Sequence, residues 1–357
     1  MAHLVANRRP QSLPPDVADL LARFGLDLAG LLTDSNPKLG KGAALGHGRA
    51  VILHHLPARA LAAAITPGDG APVAARGYLP ALLALAEREG LTAAARSHHG
   101  CPWATSGCAM GCLNWAGRGG LGETVALARG RRTLAMLADP VAYGRAVLWA
   151  VAWQYRRAVA AGEPLAVRLR GTDEGPAVGW HRLALPLSGP EAQSLSLRYG
   201  LPVAPSDGAP IAELLAGAPG LTFYDYSKAP LTGPLGLEAQ RSAGWDLTAS
   251  FAADRPTACR DGLAAAAAGF RLAVPVAIKR GAPIPRAVTI STGAAGFVTL
   301  PTVDGDASDH RYREPGAVAV ILRTKRSRGA TAAADPFSLR PTAEPQPLAD
   351  GTVALAW

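Results

Sequence analysis

At 357 residues and 36.6 kDa, with 49% hydrophobic and 18% charged residues, the chain can bury a sizeable core and is too apolar to stay disordered. A net charge of +9 favours anionic partners, yet the arginines that carry it are dispersed. Only Leu322–Gly329 forms a local basic run, so nucleic-acid binding is possible but not favoured over a small-molecule ligand. No apolar stretch reaches membrane-spanning length, the first sixteen residues hold no signal-like apolar run, and four cysteines are too few for a disulfide framework; the expectation is a cytoplasmic protein without membrane contact.

In chain order, residues 14–33 place Val17, Leu20, Leu21, Phe24 and Leu28 at helical spacing behind a proline pair, which predicts an N-terminal helical extension over 1–33. Residues 34–58 read as a Gly-rich loop leading into a strand at Ala50–His55. Helices are predicted at 77–88 and 121–161, the second interrupted at Asp139–Pro140. Strands follow at 165–171, 221–227, 245–252, 272–279 and 317–324, with helical pieces at 209–217 and 257–269 between them. Such alternation predicts βα units. The expected fold is α/β, a partial or irregular TIM-like barrel over 34–328 that carries a cysteine loop at 97–120, followed by a flexible Pro-rich tail over 329–357.

That loop contains Cys101, Cys108 and Cys112, separated by six and three residues, and a glycine precedes each cysteine. Glycine tolerates the tight backbone needed to aim three sulfurs at one point. Three thiolates suit a 4Fe–4S cluster with one iron left open for a substrate or cofactor. Neighbouring His98 and His99 keep a Cys3His zinc site open, and three reduced, metal-free structural cysteines are the third reading. Cys259 is too far along the chain to be placed beside them.

Several polar residues fall where strands end. In the 165–171 strand, alternation sets Arg168 and Arg170 opposite Val167 and Leu169, as an anion clamp or as solvated side chains. Thr172 and Asp173 follow at the carboxyl end, where parallel sheets place their sites. Asp225 is costly inside an aromatic strand unless paired, and Lys228 closes that strand. The chain has five lysines, three of which (Lys38, Lys41 and Lys228) fall in motif-like segments. Asn36 and Lys38 sit in a Gly-rich segment that lacks the P-loop order but can lead over a ligand. Asp306 and Asp309 belong to an Asp-rich turn whose carboxylates bind a ligand, cap backbone amides, or pair with Arg311 and Arg313. Asp173, Asp225 and Lys228 are therefore the catalytic candidates; Asn36, Lys38, Arg168, Arg170, Thr172, Asp306 and Asp309 are the ligand-binding ones.

Taken in order, SNPKLGKG, CPWATSGCAMGCLNWAGRG, VRLRGTDE, FYDYSK, LTASFA and VDGDASDHRYREPGAVAVILR resemble a family of phage and plasmid proteins similar to the phage gene-product-88 domain, over roughly residues 34–326. The resemblance implies a protein of a mobile element and brings no activity with it. At fold level, a cysteine loop followed by strand–helix units also resembles radical S-adenosylmethionine enzymes, although those space their cysteines by three and two residues and carry a Gly-Gly-Glu-like segment that is absent here. The second resemblance implies that Cys101, Cys108 and Cys112 ligate three irons while the fourth takes the amino and carboxylate groups of S-adenosylmethionine. The expected function is thus an iron–sulfur protein, a divergent radical enzyme acting on a small anionic or nucleotide-like molecule. The alternatives are a zinc-stabilised nucleic-acid-binding accessory protein and a metal-free interaction protein.

Overall fold

The computed structural model describes residues 13–34, 36–57, 60–62, 79–98, 100–105, 108, 123–252, 255, 257–278, 283–291, 297–323 and 352–355. The protein is a mixed α/β molecule whose paired strands run mostly parallel, and among the described residues the strands do not close into a barrel. Two compact units divide the chain: one from Met1–Pro102, Arg118–Phe223 and Ala243–Trp245, the other from Trp103–Gly117, Tyr224–Ser242 and Asp246–Trp357.

In the first unit β1 (Leu32–Thr33) pairs antiparallel with β2 (Arg49–Leu53), which runs parallel to β3 (Leu165–Arg168); β3 in turn runs parallel to the start of β6 (Leu221–Ser227). Ala50, Val51, Ile52 and Leu53 are all at most 3% exposed. An unbroken apolar strand of this kind suits a parallel sheet covered on both faces. β4 (Leu185–Leu187) and β5 (Ser206–Ala209) form a separate antiparallel pair.

Helices α1 (Pro15–Arg23), α2 (Leu28–Leu31), α3 (Pro37–Ala44), α4 (Leu79–Arg88) and α5 (Thr92–Ser97) precede the long pair α6 (Glu123–Ala138) and α7 (Pro140–Ala160). The pair is split at Asp139–Pro140 as expected. Pro140 cannot extend α6, but it opens α7 at N1 while the Asp139 carboxylate accepts the Ala142 N–H at 2.8 Å. α7 packs on α1, α2, α6 and β3 and carries the buried Tyr143 and Trp149, so it is the spine of this unit. α8 (Gly189–Tyr199), with its Ser188–Glu191 capping box, and α9 (Ile211–Leu214) complete it.

The expected Gly-rich loop at 34–58 differs: Pro37–Ala44 is helix α3. Pro37 occupies N1, the Asn36 side chain accepts the Lys38 N–H at 2.9 Å, and Leu39 and Gly42 turn inward, which together outweigh the helix cost of two glycines.

In the second unit α10 (Leu237–Ser242) precedes β7 (Trp245–Ser250), α11 (Ala258–Ala267) and β8 (Arg271–Val276), a βαβ unit whose strands are parallel. β8 and β10 (Phe297–Asp304) flank β11 (Ala319–Arg323) in parallel. β9 (Ala287–Ser291) joins β10 antiparallel, and β12 (Thr352–Leu355) runs parallel to β9. Much of the expected tail lies outside the described residues; its end forms β12. Arg271 binds Asp246, the Thr248 hydroxyl (3.3 Å) and the Glu314 carbonyl (2.9 Å), which fixes the amino-terminal end of this strand group.

Candidate functional site

The carboxyl ends of β2 and β3 carry a cluster of buried polar groups in the first unit. After β2 the chain continues through His54 and His55, and after β3 through Arg170, Gly171, Thr172, Asp173 and Glu174. Two bonds lock these turns together: the Gly171 N–H reaches the Leu53 carbonyl at 2.9 Å and the Thr172 hydroxyl donates to the His55 carbonyl at 2.5 Å. Gly171 is required here. A Cβ at that position would lie 2.3 Å from His54 Nδ1 and 2.6 Å from the Leu53 carbonyl oxygen.

His55 is wholly buried between two partners, with Nδ1 at 3.1 Å from Asp173 Oδ1 and Nε2 at 3.0 Å from the Tyr143 hydroxyl. A carboxylate facing Nδ1 selects the tautomer that donates there, so Nε2 accepts from the phenol. Burial pushes the Tyr143 phenol well up, which keeps its proton in place for that bond. Trp180 stacks on the His55 ring at a centroid distance of 6.4 Å and an interplanar angle of 10°. Asp173 is thereby held by one oxygen. Its Oδ2 is buried and accepts no hydrogen bond among the described residues.

That second oxygen points toward the start of the cysteine segment. A Cβ on Gly100 would meet His98 Nε2 at 2.5 Å and Asp173 Oδ2 at 3.1 Å, while the Gly100 carbonyl accepts the Glu174 N–H at 2.5 Å. The residue before Cys101 is thus fastened to the turn that follows β3 and has no room for a side chain. His54, at the end of β2, is held well below the usual imidazole range, first by burial and then by the charges of Arg129, Arg168 and Arg132.

The sequence candidates divide among these surroundings. Thr172 and Asp173 are brought together with Arg170, which is 4% exposed, sits 3.4 Å from Glu174 and lies over the Trp245 ring at 5.3 Å. Arg168 ends β3 and bears on His54. Asn36 is a helix cap, and Lys38 is half-buried in the first turn of α3.

In the second unit Asp225 is completely buried on β6, where one oxygen accepts the Tyr226 N–H at 3.2 Å; Lys228, half-buried, lines a small cleft with Arg255. Asp306 accepts the Arg323 N–H at 3.2 Å and stands 3.6 Å from its guanidinium, so it belongs to a braced turn with Asp304, whose carboxylate pairs with Arg323 at 2.8 Å. Asp309 is buried, and its carbonyl accepts the Arg311 N–H at 3.0 Å. Asp304 and Asp306 thus pair with Arg323, while Arg311 pairs with Glu314 at 2.5 Å.

Cys101 and Cys108 are both half-buried; Cys112 lies outside the described residues. Among the described residues no three His, Cys, Asp or Glu side chains gather as a metal-binding group. No described helix is long and apolar enough to cross a membrane.

His55, Tyr143 and Trp180 were not singled out by sequence. The His54–His55 pair at a strand's carboxyl end was the available signal, whereas Tyr143, inside a long apolar helix, gave none. The chain matches no family model, no curated protein and no solved structure.

Proposed function

We propose that the protein binds a 4Fe–4S cluster through Cys101, Cys108 and Cys112 and acts as a divergent enzyme of the radical S-adenosylmethionine type on a small anionic substrate. The observation that carries this reading is the attachment of the cysteine segment: Gly100, next to Cys101, is bonded to Glu174 at the carboxyl end of parallel strands, the edge on which α/β sheets hold their ligands. The donor set also fits. Cys101 and Cys108 are both partly accessible, as thiols must be to take up metal from solution. A partial, open barrel built from the parallel strands is the architecture that goes with it.

Bound there, the cluster would supply one-electron reducing chemistry and an open iron for the amino and carboxylate groups of S-adenosylmethionine. The chain's own residues do the rest. His55 and Tyr143 fix the Asp173 carboxylate, leaving Oδ2 as a buried acceptor beside His98, able to hold a donor group of a ligand or to take a proton from it. Trp180 and the apolar strand ends exclude water from the His55–Asp173 pair.

The test is anaerobic purification and reconstitution of the full chain, followed by absorption and electron paramagnetic resonance spectroscopy. A broad visible band bleached by dithionite, with a reduced-cluster resonance altered by S-adenosylmethionine, is the expected result. Zinc without iron instead establishes the zinc-stabilised alternative, and a colourless metal-free protein the structural one.

A further inference from the structure

Tyr143, His55, Asp173 and Trp180 form a covered group in the first unit whose chemistry goes beyond fixing a carboxylate. Tyr143, His55 and Trp180 have no exposed surface, and the Asp173 side chain is equally covered. Two hydrogen bonds run through the group, from the Tyr143 hydroxyl to His55 Nε2 at 3.0 Å and from His55 Nδ1 to Asp173 Oδ1 at 3.1 Å.

Charge sets this chain of bonds apart from an ordinary buried pair. An imidazole that accepts at Nε2 is neutral, no Lys or Arg side chain pairs with Asp173 among the described residues, and Asp173 Oδ2 receives no donor there. The three groups therefore hold one net negative charge in an interior with no exposed surface, which is unfavourable. Removing an electron from Tyr143 relieves it. The phenol O–H bond breaks, an N–H bond forms at His55 Nε2, and the imidazolium lies against the Asp173 carboxylate, so that a phenoxyl radical stands beside a neutral ion pair. Burial makes the phenol a weaker acid than usual, so its proton leaves only together with the electron.

Trp180 supplies the way in. Its ring stands 6.4 Å, centroid to centroid, from both His55 and Tyr143. The indole N–H is buried and donates to nothing among the described residues, and a Cβ on Gly175 would lie 2.3 Å from that nitrogen. An indole cation radical with no base to take its proton passes the hole on. The phenol, whose proton has an acceptor in place, keeps it.

We infer that Tyr143 is a redox-active tyrosine, oxidised by one electron through Trp180 while His55 takes its proton. As the radical store of the enzyme proposed above, the assignment rests on that reading: the oxidant is then a carbon-centred radical, which gains the electron and a proton from water and ends with a new C–H bond.

Flash oxidation of the iron-free full chain by photogenerated tris(bipyridine)ruthenium(III), which returns to ruthenium(II), tests it by transient absorption and freeze-quench electron paramagnetic resonance. A phenoxyl signal that outlasts those of exposed side chains is expected, and it forms more slowly in deuterium oxide. It is lost in Tyr143→Phe and in His55→Gln, whose amide can still accept the phenol's hydrogen bond but takes no proton; its yield falls in Trp180→Phe, with circular dichroism confirming that each variant is folded. Tyr155→Phe keeps the signal, because the Tyr155 hydroxyl donates to the Pro219 carbonyl, which is no base. Tyr312, 2.9 Å from His310 Nδ1 but only half-buried, is the rival source, and loss of the signal in Tyr312→Phe instead overturns the proposal. A wild type without a lasting phenoxyl signal, or an undiminished signal in folded Tyr143→Phe or His55→Gln, overturns it too; where those variants do not fold, Tyr312→Phe and Trp180→Phe decide in their place. The radical in a chain that takes up no iron leaves Tyr143 standing and removes the cluster, whereas iron uptake without the radical does the reverse.

Discussion

Replacing His55 by alanine probes the network that orders the site in the first unit. The substitution removes a ring with no exposed surface and leaves two buried groups without their partner, the Tyr143 hydroxyl and Asp173 Oδ1, on a carboxylate whose other oxygen already accepts no hydrogen bond among the described residues. Each orphaned group costs about 1–3 kcal/mol, so with the cavity the loss is about 3–7 kcal/mol, a large share of the ~5–15 kcal/mol typical of a folded protein. Tyr143→Phe alone costs about 1–2 kcal/mol, because it strands His55 Nε2. In the His55→Ala background the same change removes an orphan instead of creating one. The double variant is therefore no less stable than His55→Ala, and the coupling is at least about 1 kcal/mol. Urea unfolding followed by circular dichroism measures all four corners of the cycle. Simple additivity of the two losses refutes the network.

Three further outcomes follow from local geometry. Gly171→Ala pushes a methyl against the backbone carbonyl of Leu53, which a rotamer change cannot relieve, and lowers stability by about 1–3 kcal/mol or more in thermal or urea unfolding. His54 is held neutral in the fold, so the unfolded chain binds the extra proton below its ordinary value near 6.5; stability falls as pH drops through that value toward the folded-state one. His54→Gln flattens that part of the stability–pH profile, read by urea unfolding at a series of pH values. Asn36→Ala removes the cap on the Lys38 N–H and costs about 1 kcal/mol, whereas Asn36→Asp retains most of it.

Much of the scaffold was legible because its signals are local. The strand expected at 221–227 is β6 to the residue, and the break at Asp139–Pro140 follows from what proline forbids on one side and favours on the other. α3 was missed because its glycines read as loop, while the features that make it a helix, a cap at Asn36 and an inward face at Leu39 and Gly42, depend on what packs against it. β9 and β10 were missed as well, since each is held by its antiparallel pairing with the other, which a reading of each segment by itself does not register. Thr172 and Asp173 could be picked from their place after a strand. Asp173's partner His55, 118 positions away, and Tyr143, which holds His55 from 88 positions away, could not, a juxtaposition only the parallel pairing of β2 with β3 and the packing of α7 create.

The central claim, that three thiolates share one inorganic cluster, is tested most directly by counting iron and acid-labile sulfide per chain after anaerobic reconstitution of the wild type and of Cys101→Ala, Cys108→Ala and Cys112→Ala. About four of each in the wild type, with loss or depletion in every single variant and none in Cys259→Ala, is the predicted result. A wild-type chain that retains neither element, or variants that retain both in full, contradicts it.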